Sequence, residues 1–134
     1  MSIINEHNDP KNSLVLFGLD EKLDFLINLH KSNKLPKVLM ITGKKGEGKF
    51  TLINHFLTYI YDKDNYDLKK KSINSQTPHY KQYINGINPN IIHLSGANFK
   101  SIKLEDIRSL KSTILKSTIS KKERFIVLVD IELF

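Results

Sequence analysis

Gly43, Lys44, Lys45, Gly46, Glu47, Gly48 and Lys49 carry the strongest chemical pattern in the chain. A glycine, four residues and then Gly-Lys lets the backbone wrap closely enough for successive N–H groups to point at phosphate oxygens. Lys49 would reach the outer phosphates, and the N-terminus of a following helix would add partial positive charge. ATP is therefore the candidate cofactor, held by residues 43–51. The pattern departs from a complete phosphate-binding loop (P-loop) at one place. The hydroxyl residue that would hold Mg²⁺ after the lysine is Phe50, and Thr51 comes one position late.

Such a loop has to be positioned by a strand before it and a helix after it. Residues 38–42, Val-Leu-Met-Ile-Thr, form a short apolar run bounded by breakers, the pattern of a buried parallel strand. Residues 49–61 place Leu52, Ile53, Phe56, Leu57 and Ile60 at helical spacing. Upstream, Asp20 is the expected N-cap of a helix reaching about Lys31, with Leu23, Leu26, Ile27 and His30 along one face. His30 reads as a helix-end residue near the carbonyl dipoles rather than a ligand. Pro36 disfavours helical geometry before it and ends that element.

Downstream, residues 62–90 are charged and polar, with Pro78, Gly86 and Pro89, and predict a partly helical excursion over the surface. Residues 90–94 read as a second strand, closed by a turn at 95–98. His79 and His93 lack carboxylate or thiolate neighbours and do not read as metal ligands. From Leu104 to about Thr118, Ile107, Leu110, Ile114 and Leu115 mark one helix face, with Arg108, Lys111 and Lys116 largely on the other. After a polar turn at 120–123, residues 125–129 are the strongest strand signal in the chain. Alternating strands and helices predict an α/β fold with a parallel sheet covered on both sides.

A nucleotide site of this kind also needs a carboxylate at the end of a neighbouring strand to hold the Mg²⁺ water shell, and a second acid to position water. Read alone, residues 125–132 make Asp130 the metal-side candidate. The bland alternative is a core strand followed by solvated acids.

At 134 residues the chain is about one domain. Its charge of +7 permits a polyanion partner, but the lysines are scattered, so a solvated surface explains them equally well. The absence of cysteine excludes disulfides and thiolate zinc sites. Residues 1–12 lack the apolar core of a signal peptide, and no run approaches the roughly 20 apolar residues of a membrane helix. A cytoplasmic protein without a membrane partner is the expectation.

The order of these features resembles the delta prime subunit family of the bacterial DNA polymerase III clamp loader, within the AAA+ superfamily. Leu16-Phe17-Gly18 is similar to that family's glycine entry before the first helix, and residues 35–43 to its leucine-proline lead into strand and loop. Residues 87–91 resemble its entry to the second strand. Residues 102–110, with Ile107-Arg108-Ser109-Leu110, carry its most specific signature, and residues 124–134 resemble its second nucleotide motif.

The resemblance implies a three-layer P-loop sandwich. It also implies work in a hetero-pentameric ring with the gamma/tau and delta subunits, which loads the sliding clamp on primed DNA during replication. Family members often carry a four-cysteine zinc module after the loop helix; without cysteine, no zinc is expected. In the family register Val129 takes the metal-side place and Asp130 the catalytic-acid place, so both Mg²⁺ anchors, at Phe50 and Val129, are lost. A degenerate ATP site with weak or absent hydrolysis fits a stator role.

Residues 1–13 are expected to be a flexible arm, and 14–134 the N-terminal portion of an AAA+ domain. The sensor, arginine finger, lid and collar of the family would lie in a longer protein, or be missing from a truncated product. Two other readings stay open. One is an autonomous P-loop ATPase or small-molecule kinase; the other is a non-catalytic interaction module with a relic loop.

Overall fold

The computed structural model describes residues 13–96, 108, 111, 112 and 123–133. In chain order these form α1 (Asp20–Lys31), α2 (Lys49–Tyr61), α3 (Pro78–Ile84), β1 (Ile91–Ser95) and β2 (Phe125–Val129), with 3₁₀ turns at Lys63–Asn65 and Ile131–Leu133. The chain divides into two compact units, Met1–Gly86 and Ile87–Phe134. Of the arm expected at 1–13, only Ser13 is described. Most of the helix expected at 104–118 also lies outside the described residues; Arg108, Lys111 and Ser112 are helical and exposed.

In the first unit, α1 buries Leu23, Leu26 and Ile27, the stripe its spacing dictates. Its N-cap is Leu19, without a side-chain cap, and not Asp20 as expected. Asp20 instead joins Glu21 in the first turn, where a carboxylate still meets the positive end of the dipole. The helix ends before the proline can act. Asn33 takes a left-handed φ of 58°, its N–H donates to the His30 carbonyl, and the Lys34 N–H donates to that of Leu29. This double bond pattern is a Schellman close, and asparagine tolerates the left-handed conformation it needs. His30 sits edge-on to Phe56, ring centroids 6.2 Å apart, so it helps pack α1 against α2.

Helix α2 is the centre of this unit. Besides Leu52, Phe56 and Leu57, it buries Asn54, His55, Thr58 and Tyr59. A helix buried on so much of its circumference must satisfy its polar side chains internally. His55, fully buried, places Nδ1 2.8 Å from the Tyr66 hydroxyl and Nε2 2.9 Å from the Ser13 carbonyl. A carbonyl only accepts, so Nε2 carries the hydrogen and Nδ1 accepts from Tyr66. Thr58 Oγ1 donates to the Asn54 carbonyl, and the Tyr83 hydroxyl of α3 donates to Asn54 Oδ1.

Residues 62–84 are more deeply packed than a surface excursion. Tyr66, Ile73 and Tyr83 are buried hydrophobic residues, the first two set singly among polar ones. Antiparallel bonds from Leu16 N–H to the Lys71 carbonyl and from Ile73 N–H to that of Leu14 tie the segment to the residues before α1. Lys71 adds a tether, its ammonium 2.8 Å from Asp24 Oδ1 and 2.9 Å from the Leu68 carbonyl. Thr77 caps α3, its hydroxyl oxygen accepting from the Tyr80 N–H, with Pro78 in the first turn.

In the second unit, β1 and β2 pair in parallel, from Ile91 opposite Phe125 to Ser95 opposite Val129. The first strand begins one residue later than expected, because the Asn90 N–H is held by the Asn88 side chain. Along β2 the residues alternate, with Ile126 and Leu128 exposed at 41% and 52%. Among the described residues, the face of β2 that carries Ile126 and Leu128 is thus not buried.

Residues 38–42 are the principal correction. They form no strand, and Val38 and Met40 are 87% and 66% exposed. A parallel strand exists only through ladder bonds from its neighbours, and no strand among the described residues pairs with this run. The described fold is thus two parallel strands and three α-helices, compatible with part of an AAA+-like α/β fold and short of the three-layer sandwich.

Candidate phosphate-binding site

The loop that enters α2 is shaped by its glycines. Gly48 is the N-cap of α2 at φ 83°, ψ 19°, and a β-carbon there would lie 3.1 Å from Leu19 Cδ1. Both the left-handed backbone and the close neighbour favour glycine. No side chain caps this end of α2, and no acid stands in its first turn. The positive end of the helix dipole is therefore met by no acid of α2 itself. Lys44, Lys45, Gly46 and Glu47 form the exposed turn, while Gly48, Lys49, Phe50 and Thr51 are half-buried.

Lys49 Nζ donates to the carbonyls of Gly43 and Lys44, 2.7 Å each. The lysine of the motif is thus folded over its own loop. The turn is closed by the Glu47 N–H donating to the Lys44 carbonyl at 3.3 Å, and the Lys44 N–H donates to Glu47 Oε2 at 2.8 Å. Glu47 is the residue whose part the sequence pattern does not indicate, since the motif leaves its position unspecified.

Asp130 stands in the other unit, just beyond β2. It is exposed, has φ 52°, and Asp130 Oδ2 accepts from Ser95 Oγ at 3.2 Å. Ser95 ends β1 opposite Val129, so both polar groups mark the carboxyl end of the parallel pair, where α/β sheets place their ligands. A non-glycine residue in this backbone region is uncommon, although aspartate is among the residues that tolerate it. Val129 offers no carboxylate at the preceding position.

Among the described residues no three His, Asp or Glu side chains cluster as a metal site would need. His79 lies in the first unit against Tyr61 and Tyr83, ring planes within 24° and 18° of parallel. A hollow of about 290 Å³ lined by Gly18, Asp20, Glu21 and Lys22 has the wrong balance of charge for a polyphosphate. No described helix is long and apolar enough to cross a membrane.

A family model described as DNA polymerase III, delta subunit, matches residues 18–134, nearly the whole chain. No curated protein and no solved structure matches it.

Proposed function

Because the chain belongs to the DNA polymerase III delta subunit family, a family of the clamp-loader complex, we propose that it acts as the delta prime-type subunit. In this reading it sits in a cytoplasmic ring with gamma/tau and delta subunits and helps load the sliding clamp on primed DNA. The family match over residues 18–134 is the observation that carries the reading. Residues 102–110 favour the delta prime branch through their resemblance to its helix signature.

The phosphate loop is proposed to bind ATP through the backbone of residues 43–49, the Lys49 ammonium and the start of α2. Phe50 supplies no oxygen to Mg²⁺, and Val129 supplies none at the strand end. Nucleotide therefore serves to brace the subunit, and hydrolysis is left to neighbours with complete sites. The uncapped start of α2 supports anion binding.

Reconstitution tests this reading. The longest chain carrying this sequence, mixed with the gamma/tau and delta subunits of the same cell, should co-elute with them in size-exclusion chromatography. The resulting complex should load clamp on primed DNA. A chain that stays out of the complex under conditions where the other subunits assemble would overturn the proposal.

A further inference from the structure

Within the loop an acidic side chain already takes one of the backbone donors that an anion would use. The Lys44 N–H, one of the donors the glycine pattern exists to present, is taken by Glu47 Oε2 at 2.8 Å. The same oxygen fills the space beside Gly43. A β-carbon added there would lie 2.5 Å from it, and 3.6 Å from Lys49 Cδ. Carboxylate and lysine stem thus flank one α-carbon, while the Lys49 ammonium is engaged by the Gly43 and Lys44 carbonyls.

We infer that the Glu47 carboxylate is an autoinhibitory occupant of the cradle, which a nucleotide phosphate must displace before it can bind. This rests on the phosphate-binding reading of the loop and adds its regulation. An incoming phosphate competes with Glu47 for the Lys44 N–H and meets like charge until the side chain swings out. The swing is feasible because Glu47 is exposed and its side chain has three rotatable bonds. The latch therefore tunes affinity and does not abolish it. A glutamate that merely shaped the turn would have the opposite effect, since its removal would disorder the loop and weaken binding.

The test is a titration of the full chain with fluorescent N-methylanthraniloyl-ATP, with and without Mg²⁺, for the wild type, Glu47→Ala, Glu47→Gln and Lys49→Ala. Removing one charge-assisted hydrogen bond and one repulsion should tighten binding by about tenfold in Glu47→Ala. Glu47→Gln, which keeps an acceptor without charge, should fall between Glu47→Ala and wild type, and it stands in should the alanine variant fail to fold. Lys49→Ala should lose binding.

Unchanged or weaker binding in both Glu47 variants, with wild-type binding that Lys49→Ala still abolishes, overturns the latch and leaves the phosphate site standing. No saturable binding in the wild type and the Glu47 variants alike overturns both.

Discussion

His55 has no water to turn to, so its protonation state is tied to folding. Burial pushes its pKa below the ordinary 6.5, partly offset by the hydrogen bond to the Ser13 carbonyl. The unfolded chain then takes up a proton near pH 6.5 that the folded chain refuses until lower pH. Stability is complete above about 6.5 and falls below it, by at most about 1.4 kcal/mol per pH unit, until the folded-state pKa is reached. Tyr66 sets the opposite limit. Burial first, then the charges of Asp20, Asp24 and Asp67, raise its hydroxyl above the ordinary 10.0. The folded state keeps that proton when the unfolded state has lost it, so stability falls again as pH rises past about 10. Urea midpoints measured from pH 5 to 8 should show the acid slope in the wild type and a shallower one in His55→Gln. Equal slopes would mean that carboxylates, not this imidazole, carry the acid sensitivity.

At the scale of elements, the segment between α2 and α3 is held by a few discrete attachments. The Lys71 side chain is 11% exposed and its partner Asp24 53%, so the pair lies between surface and core. Removing Asp24 leaves an ammonium largely shielded from water and held by the Leu68 carbonyl. Because Asp24 is more than half exposed, water offsets part of that loss, and Asp24→Ala should cost about 1 kcal/mol in chemical denaturation. Lys71→Met keeps the apolar stem without the charge and should be milder. A Lys71→Met cost well above that of Asp24→Ala would show that the Leu68 contact, not the ion pair, holds the segment. None of this tether was legible beforehand. Tyr66 and Ile73 bury singly, without a repeat that periodicity could register, and Lys71 reads in the sequence as one of three consecutive lysines. Helices α1 and α2 and strand β2 were legible because each repeats its burial signal over several residues. The end of α1 was legible in place but not in cause, since Asn33 closes it ahead of Pro36.

For the molecule as a whole, the difference between local pattern and available partner governs residues 38–42. Their composition is that of a buried strand, yet burial in a parallel sheet is supplied by other strands, which a five-residue pattern does not encode. The loop after them takes its conformation from its own glycines, the start of α2 and Lys49. The candidate loop was marked by the spacing of its glycines and Lys49, while Glu47 on the Lys44 N–H appears only in three dimensions. An apolar run with Val38 at 87% and Met40 at 66% exposure gains by hydrophobic burial whenever a ladder becomes available. If the working state of a clamp-loader subunit supplies that ladder, the amides of residues 39–42 should exchange rapidly in the isolated chain and become protected in the assembled complex. Hydrogen exchange read by mass spectrometry resolves this segment from α2, whose amides should be protected in both states. Fast exchange at 39–42 after assembly would mean that the loop works on an irregular lead, braced by α2 alone.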